Sequence, residues 1–227
     1  MAHRVRLVLH ICFRSRWHAG SGEGNLMTDR LIRRDGLNRP FIPGSTLKGI
    51  VRQSCEKLCH ARGFRNLPSP HHTNAIQSHS PVDCLFGTTY EPGQLFFRDA
   101  RLRDNQDCLP LVWNRVARHR ILGTAKNKQL FSTEYNIPCT LTTTIDGWHE
   151  NLLTLDTNSP PYEYCLLIAG ILAVDRIGAE KSTGAGWLTE ITLDDALYNG
   201  AKIDLDTVFD WFTAVTPLDY REMRGSS

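Results

Sequence analysis

Long apolar runs are missing from this chain. No stretch approaches the roughly 18 consecutive apolar residues of a membrane-spanning helix, and the polar, basic start from Met1 to Trp17 has neither the hydrophobic block nor the small-residue cleavage site of a secretory signal. A cytoplasmic location and no membrane partner are therefore expected. A disulfide framework is also missing: the seven cysteines are odd in number and scattered, which leaves thiols for burial or metal binding in a reducing compartment. Net charge is only +2, so whole-molecule electrostatics do not by themselves point to nucleic acid. No convincing internal repeat or low-complexity tract is visible.

What is present is enough apolar material, 41% of 227 residues, to build a core for one large domain or two small ones. Val5 to Phe13 alternates apolar and polar residues with the period of a half-buried strand. Trp17 to Pro43 is rich in Gly, Arg and Asn without periodicity, as in a working loop. Ser45, a good N-cap residue, precedes a helical spacing of apolar positions that runs to about Arg62. Gln94 to Leu102 and Thr140 to Ile145 read as strands, Tyr162 to Val174 as an apolar helix and Trp187 to Leu193 as a closing strand. The order strand, helix, strand, strand, helix, strand predicts an α+β fold, the ferredoxin-like (RRM-like) βαββαβ core. It spans residues 1–195, with irregular insertions at about 63–92 and 104–135. Residues 196–227 form an extension with an amphipathic helix over Leu205 to Phe212.

Positive charge is local. Arg30, Arg33, Arg34 and Arg39 crowd one segment, and Arg115, Arg118, His119, Arg120, Lys126 and Lys128 another. Either cluster suits a phosphate-tracking surface, although a solvated loop face would read the same way. The segment Phe41-Ile-Pro-Gly-Ser-Thr-Leu-Lys-Gly-Ile-Val-Arg52 puts a Pro-Gly turn before a helix start that offers backbone N–H groups, the Ser45 and Thr46 hydroxyls and Lys48. Such a start suits a phosphate, and an ordinary capped helix looks no different. Ile177-Gly-Ala-Glu-Lys-Ser-Thr-Gly-Ala-Gly186 places Lys181 and Ser182 among glycines that let backbone approach a ligand. It is no Walker loop, because Glu180 precedes Lys181 and the loop leads into a strand.

Cys55 and Cys59 lie one helical turn apart, followed by His60, His71, His72 and His79, with Cys84 closing the insertion. Thiolate and imidazole suit a structural zinc ion held by Cys55, Cys59, His79 and Cys84, which would stabilise a segment poor in apolar residues. The alternative is that these cysteines are small buried hydrophobes.

The helix start at residues 41–52 and the glycine-rich loop at 177–186 closely resemble the two markers of the RAMP superfamily of CRISPR proteins. Asp83-Cys-Leu-Phe-Gly-Thr88 with Pro92-Gly-Gln-Leu-Phe-Phe-Arg-Asp99, and His119-Arg-Ile-Leu-Gly-Thr-Ala125 with Leu130-Phe-Ser-Thr-Glu134, resemble that superfamily's type III backbone subunits. The resemblance covers about residues 5–193. It implies a protomer that polymerises along guide RNA with copies of itself or homologous backbone subunits and other type III effector subunits. The second stretch would be a thumb that wedges into the guide–target duplex; here His119 to Gly123 departs from the family's Asp-Arg-x-Thr-Gly. The RNA contacts it implies are Arg33, Arg34, Ser45, Thr46, Lys48, Arg52, Arg118, Arg120, Lys181, Ser182 and Gly184. It further implies cleavage of target RNA with a divalent cation, Mg or Mn, through Asp29, and a structural role for Asp35. A non-cleaving structural subunit, and a processing endonuclease using His10, His18 or Tyr135 as acid and base, remain as rivals.

Overall fold

The computed structural model describes residues 2–64, 80–88, 91–103, 109–150, 152–154 and 159–225. Strand β1, Ala2–Phe13, alternates exposed or half-buried with buried side chains, as its sequence does, and is paired on both edges. β2, Phe41–Ile42, leads into helix α1, Gly44–Ala61. The short helix α2, Pro81–Phe86, follows, then β3, Leu95–Phe97, and β4, Ala100–Leu102. A hairpin of β5, Pro110–Arg118, and β6, Ala125–Asn136, stands apart as its own two-stranded sheet. β7, Thr140–Glu150, helix α3, Tyr162–Leu172, and β8, Leu188–Tyr198, complete the core. β9, Ala201–Lys202, and helices α4, Leu205–Ala214, and α5, Pro217–Gly225, end the chain.

The main sheet runs β2-β4-β7-β1-β8-β9, with β3 also on β7, and its pairs are antiparallel. Taking β3 and β4 as the second core strand gives the spatial order fourth, first, third, second, which is the ferredoxin-like arrangement. α1 turns Leu47, Val51, Cys55 and Cys59 inward at helical spacing. α3 is buried over nearly its whole length and packs against α1, α2, α4 and β8. The carboxylate of Glu163 on α3 is satisfied by the Leu153 amide and the Tyr220 hydroxyl. Val208 and Phe212 of α4 and Tyr220 of α5 join the same apolar cluster as the sheet. Among the described residues no helix is long and apolar enough to cross a membrane.

Two local readings change. α1 begins at Gly44 with Pro43 as N-cap, so Ser45 stands inside the first turn rather than capping it. Part of the expected irregular insertion is helical: Ser80 accepts the Asp83 amide and Pro81 opens α2, a capped start that a short segment hides from periodicity.

Candidate nucleic-acid interface

The first loop lies along the base of the β5–β6 hairpin. Trp17 and Asn136 exchange backbone hydrogen bonds at 3.0 and 2.9 Å, the Asp29 and Arg30 amides donate to the Ser132 carbonyl, and the Glu134 amide donates to the Arg30 carbonyl. The Glu134 carboxylate accepts the Ile32 amide at 3.0 Å and Arg34 at 2.6 Å, so one buried acid sets the loop's register. Arg34 is thereby committed to the fold, whereas Arg33 beside it is exposed.

Asp29 is exposed at the tip of this loop, next to the exposed Leu26 and Met27. Its Oδ2 accepts the Ser132 amide at 2.7 Å and the Ser132 hydroxyl at 3.0 Å, while Oδ1 accepts no hydrogen bond among the described residues. The Ser132 amide, then its hydroxyl, hold the Asp29 carboxyl below the usual range, so it is ionised at neutral pH. Asp35 differs. Its oxygens accept the Leu37 and Arg39 amides and pair with Arg39 and Arg101, which occupies them in closing the turn.

The glycine-rich loop packs on the other side. The Ala179 amide donates to the His18 carbonyl and the Gly186 amide to the Arg16 carbonyl. A Cβ on Gly178 would lie 2.6 Å from the His18 oxygen and one on Gly186 2.2 Å from the Ile177 oxygen. Those two glycines thus serve close packing of the protein on itself, and only Gly184, with nothing within 4 Å, is open to a ligand. Glu180, at φ 61°, sends its carboxylate to Arg30 at 3.1 Å, to Arg115, and to the Tyr135 and Thr183 hydroxyls at 3.3 Å. Burial opposes its charge, but Arg115, Thr183 and Tyr135 outweigh that and keep the carboxyl below its ordinary range. Arg16 stacks 4.3 Å over Trp113 and 5.1 Å over Tyr135 and donates to the Thr183 carbonyl. Two arginines, Arg30 and Arg115, thus pair with one carboxylate and Arg16 stacks close by, leaving net positive charge where loop, hairpin and glycine-rich turn meet. Neither Glu180 nor Arg16 stood out in sequence; the left-handed backbone at Glu180 and the stacking at Arg16 exist only in the fold.

Between α1 and the glycine-rich loop lies an open cleft of about 350 Å³, lined by Gly20, Pro43, Thr46, Gly178 and Lys181 among others. Of the first-turn amides of α1, Gly44 donates to Asp99 at 3.0 Å, and Thr46 and Leu47 donate to the Pro43 carbonyl. The Ser45 amide has no partner among the described residues. Ser45 and Thr46 are exposed; Thr46 and Lys181 line the cleft, Ser45 stands beside it, and burial lowers the Lys181 pKa. A hydroxyl and an ammonium on the cleft wall, with a free helix-start amide next to it, are the groups that suit an anion. Ser182 is exposed on the same turn.

Lys48 and Arg52, expected at the ligand, are engaged within the fold instead. Lys48 donates to the Leu95 carbonyl at 3.2 Å, and Arg52 ties α1 to α2 through Asp83, the Gly87 carbonyl and Glu56. Arg118 and Arg120 are exposed at the far end of the hairpin, where Gly123 at φ 65° closes the turn. Of the expected zinc ligands, Cys55, Cys59 and Cys84 are among the described residues and His79 is not. Cys55 and Cys59 are fully buried, the Cys55 thiol reaches the Leu166 carbonyl, and burial pushes Cys55 up and Cys59 up to about 12. As placed, these two side chains pack as small apolar groups of the core. Cys84 sits beside the Tyr220 hydroxyl, and His71, His72 and His79 lie outside the described residues. Among the described residues no group of three or more candidate ligands forms. His10 bonds Thr142 and Asp194 on the sheet, while His18 and Tyr135 are buried edge to face, so the acid–base candidates do not share one site.

The family model described as the RAMP superfamily matches residues 11–189. No curated protein matches the chain.

Proposed function

Because the chain belongs to the RAMP superfamily, whose members are CRISPR-associated RNA-binding proteins, we propose that it is a guide-RNA-binding backbone subunit of a type III effector that also cleaves target RNA through Asp29. The observation that carries the reading is the state of Asp29: ionised, exposed, held by Ser132 through one oxygen and unoccupied at the other, beside the hairpin that reaches outward. Guide phosphates bind the cleft through Ser45, Thr46 and Lys181. Arg33, Arg118, Arg120 and the arginines around Glu180 follow the backbone, so base pairing rather than protein contact reads the sequence. The hairpin acts as the thumb, with Ile121 and Leu122 exposed at its tip.

Asp29 fits a divalent cation as a single carboxylate, since Mg or Mn is commonly held by one or two carboxylates together with substrate phosphates and water. Bound there, the cation supplies charge stabilisation at the reacting phosphate. Asp29 would hold the ion, and Arg30 and Arg33 would hold the neighbouring phosphates. The partners are guide RNA, target RNA, copies or homologues of this chain and other effector subunits.

The test is cleavage of a guide-complementary RNA by the reconstituted complex with Mg or Mn. Asp29→Ala is expected to lower the rate by about 100-fold or more with RNA binding intact, while Asp35→Ala acts through stability. Unchanged cleavage with Asp29→Ala would leave this chain a non-cleaving scaffold, and cutting of precursor guide RNA without metal would point to a processing enzyme.

A further inference from the structure

Asp29 and Asp35 belong to one loop and are treated oppositely by their surroundings. Asp35 is neutralised by two guanidinium groups, from Arg39 and Arg101, that occupy its outward oxygen. Asp29 is bonded by neutral donors from a single residue, Ser132, which fix its orientation without cancelling its charge. Ser132 also grips the turn on either side of the carboxylate. Its Oγ lies 3.1 Å from the Asp29 amide, which it accepts, and 3.1 Å from the Met27 carbonyl, and its carbonyl accepts the Asp29 and Arg30 amides. From the opposite side Gly24 closes on the same backbone, where a Cβ would lie 2.5 Å from the Asp29 oxygen. Ser132 itself is buried, and it stands on β6 where the strand passes from its exposed outer half, up to Phe131, into the body of the fold.

We propose that Ser132 is the positioning residue of Asp29: its amide and hydroxyl hold Oδ2 so that Oδ1 is presented, already oriented, to a divalent cation and the target phosphate. The inference rests on the reading of Asp29 as the cation-binding residue. Groups that orient a metal-binding carboxylate govern both metal affinity and rate, since a carboxylate free to rotate presents the correct oxygen for only part of the time. Ser132 is part of the same strand as the thumb, so the residue that bonds the Asp29 carboxylate is tied to the hairpin through continuous backbone.

Two readouts separate this inference from the reading beneath it: single-turnover cleavage across a Mn titration, and Mn binding by electron paramagnetic resonance to the complex carrying a target with a 2′-deoxy nucleotide at the scissile position. Ser132→Ala, which keeps the amide, and Ser132→Cys, which keeps the volume, are each expected to weaken Mn binding and raise the half-saturating Mn concentration by about tenfold. Target affinity should stay unchanged and the rate should recover at high Mn. If Asp29→Ala abolishes Mn binding and cleavage while both Ser132 variants bind and cleave as wild type, Ser132 is not a positioning residue. If Asp29→Ala changes neither readout, the reading of Asp29 itself fails and the inference falls with it. A parallel loss of target affinity in Ser132→Ala and Ser132→Cys, unrescued by Mn, would mark a structural role only and overturn the proposal.

Discussion

At the scale of single residues, the contact between Gly170 and Cys55 shows what the cysteines do. A Cβ on Gly170 would lie 2.3 Å from the Cys55 sulfur, so α1 and α3 cross at a point where one helix supplies no side chain and the other a small apolar one. Gly170→Ala is expected to destabilise the protein by about 1–3 kcal/mol through overpacking. Adding Cys55→Ala should return part of that loss, because removing the sulfur makes room for the new methyl. Urea denaturation of the two single variants and the double variant measures the coupling; simple additivity would mean that the helices shift apart instead. Spacing alone left Cys55 and Cys59 open between metal and core. Both lie fully buried in the apolar core, where burial raises the thiol pKa, and the Cys55 thiol meets the Leu166 carbonyl of α3. Asp29 was legible only through resemblance to a family, because a carboxylate in an arginine-rich loop has no signature of its own; its partner Ser132 is 103 residues away in sequence and had none either.

Among the elements, α1 was foreseen in place and length, and its first turn was not. Pro43 has no side-chain donor or acceptor for capping, and the function is supplied by Asp99 from the turn before β4, whose Oδ1 accepts the Gly44 amide while Oδ2 meets Arg101. Asp99→Ala is expected to cost about 1 kcal/mol, the usual value of a lost N-cap. Asp99→Asn should retain most of it, as followed by the thermal midpoint. Equal losses in both would show that the Arg101 ion pair, not the cap, matters. The first loop illustrates the same limit. Its lack of periodicity marked it as irregular, but the edge it lies against, the base of β6, follows from backbone hydrogen bonds that any sequence can make. The hairpin itself is legible as a basic, insertion-length stretch, and its isolation from the main sheet is not.

For the molecule as a whole, a buried imidazole links stability to pH. His149 lies in the core, with its ring nitrogens near the Tyr164 hydroxyl and the Leu85 carbonyl, and burial lowers its pKa from the ordinary 6.5. The fold therefore holds the neutral ring, while the unfolded chain takes up a proton once pH drops below about 6.5. Stability that is complete above that pH should be lost progressively as pH falls from there towards the lower folded value. The urea midpoint, measured between about pH 7 and 5, should decline more steeply in wild type than in His149→Gln. Matching slopes would place the dependence elsewhere. The C-terminal helices belong to this same unit, since Val208, Phe212 and Tyr220 enter the common core and Arg62 of the turn after α1 donates to the Thr213 and Val215 carbonyls.

The sequence by itself determined the order of the core strands and helices, because apolar periodicity and turn residues are local quantities that each segment carries alone. It also determined the two family markers, each a continuous run. The tertiary structure alone decided which charges are free. Arg34, Lys48 and Arg52 are held by internal partners, while Ser45 and Arg33 are exposed and Lys181 lines an open cleft. Whether a charged group serves the fold or a ligand depends on what lies within hydrogen-bond reach of it, and for these residues that is set by segments far apart in the chain.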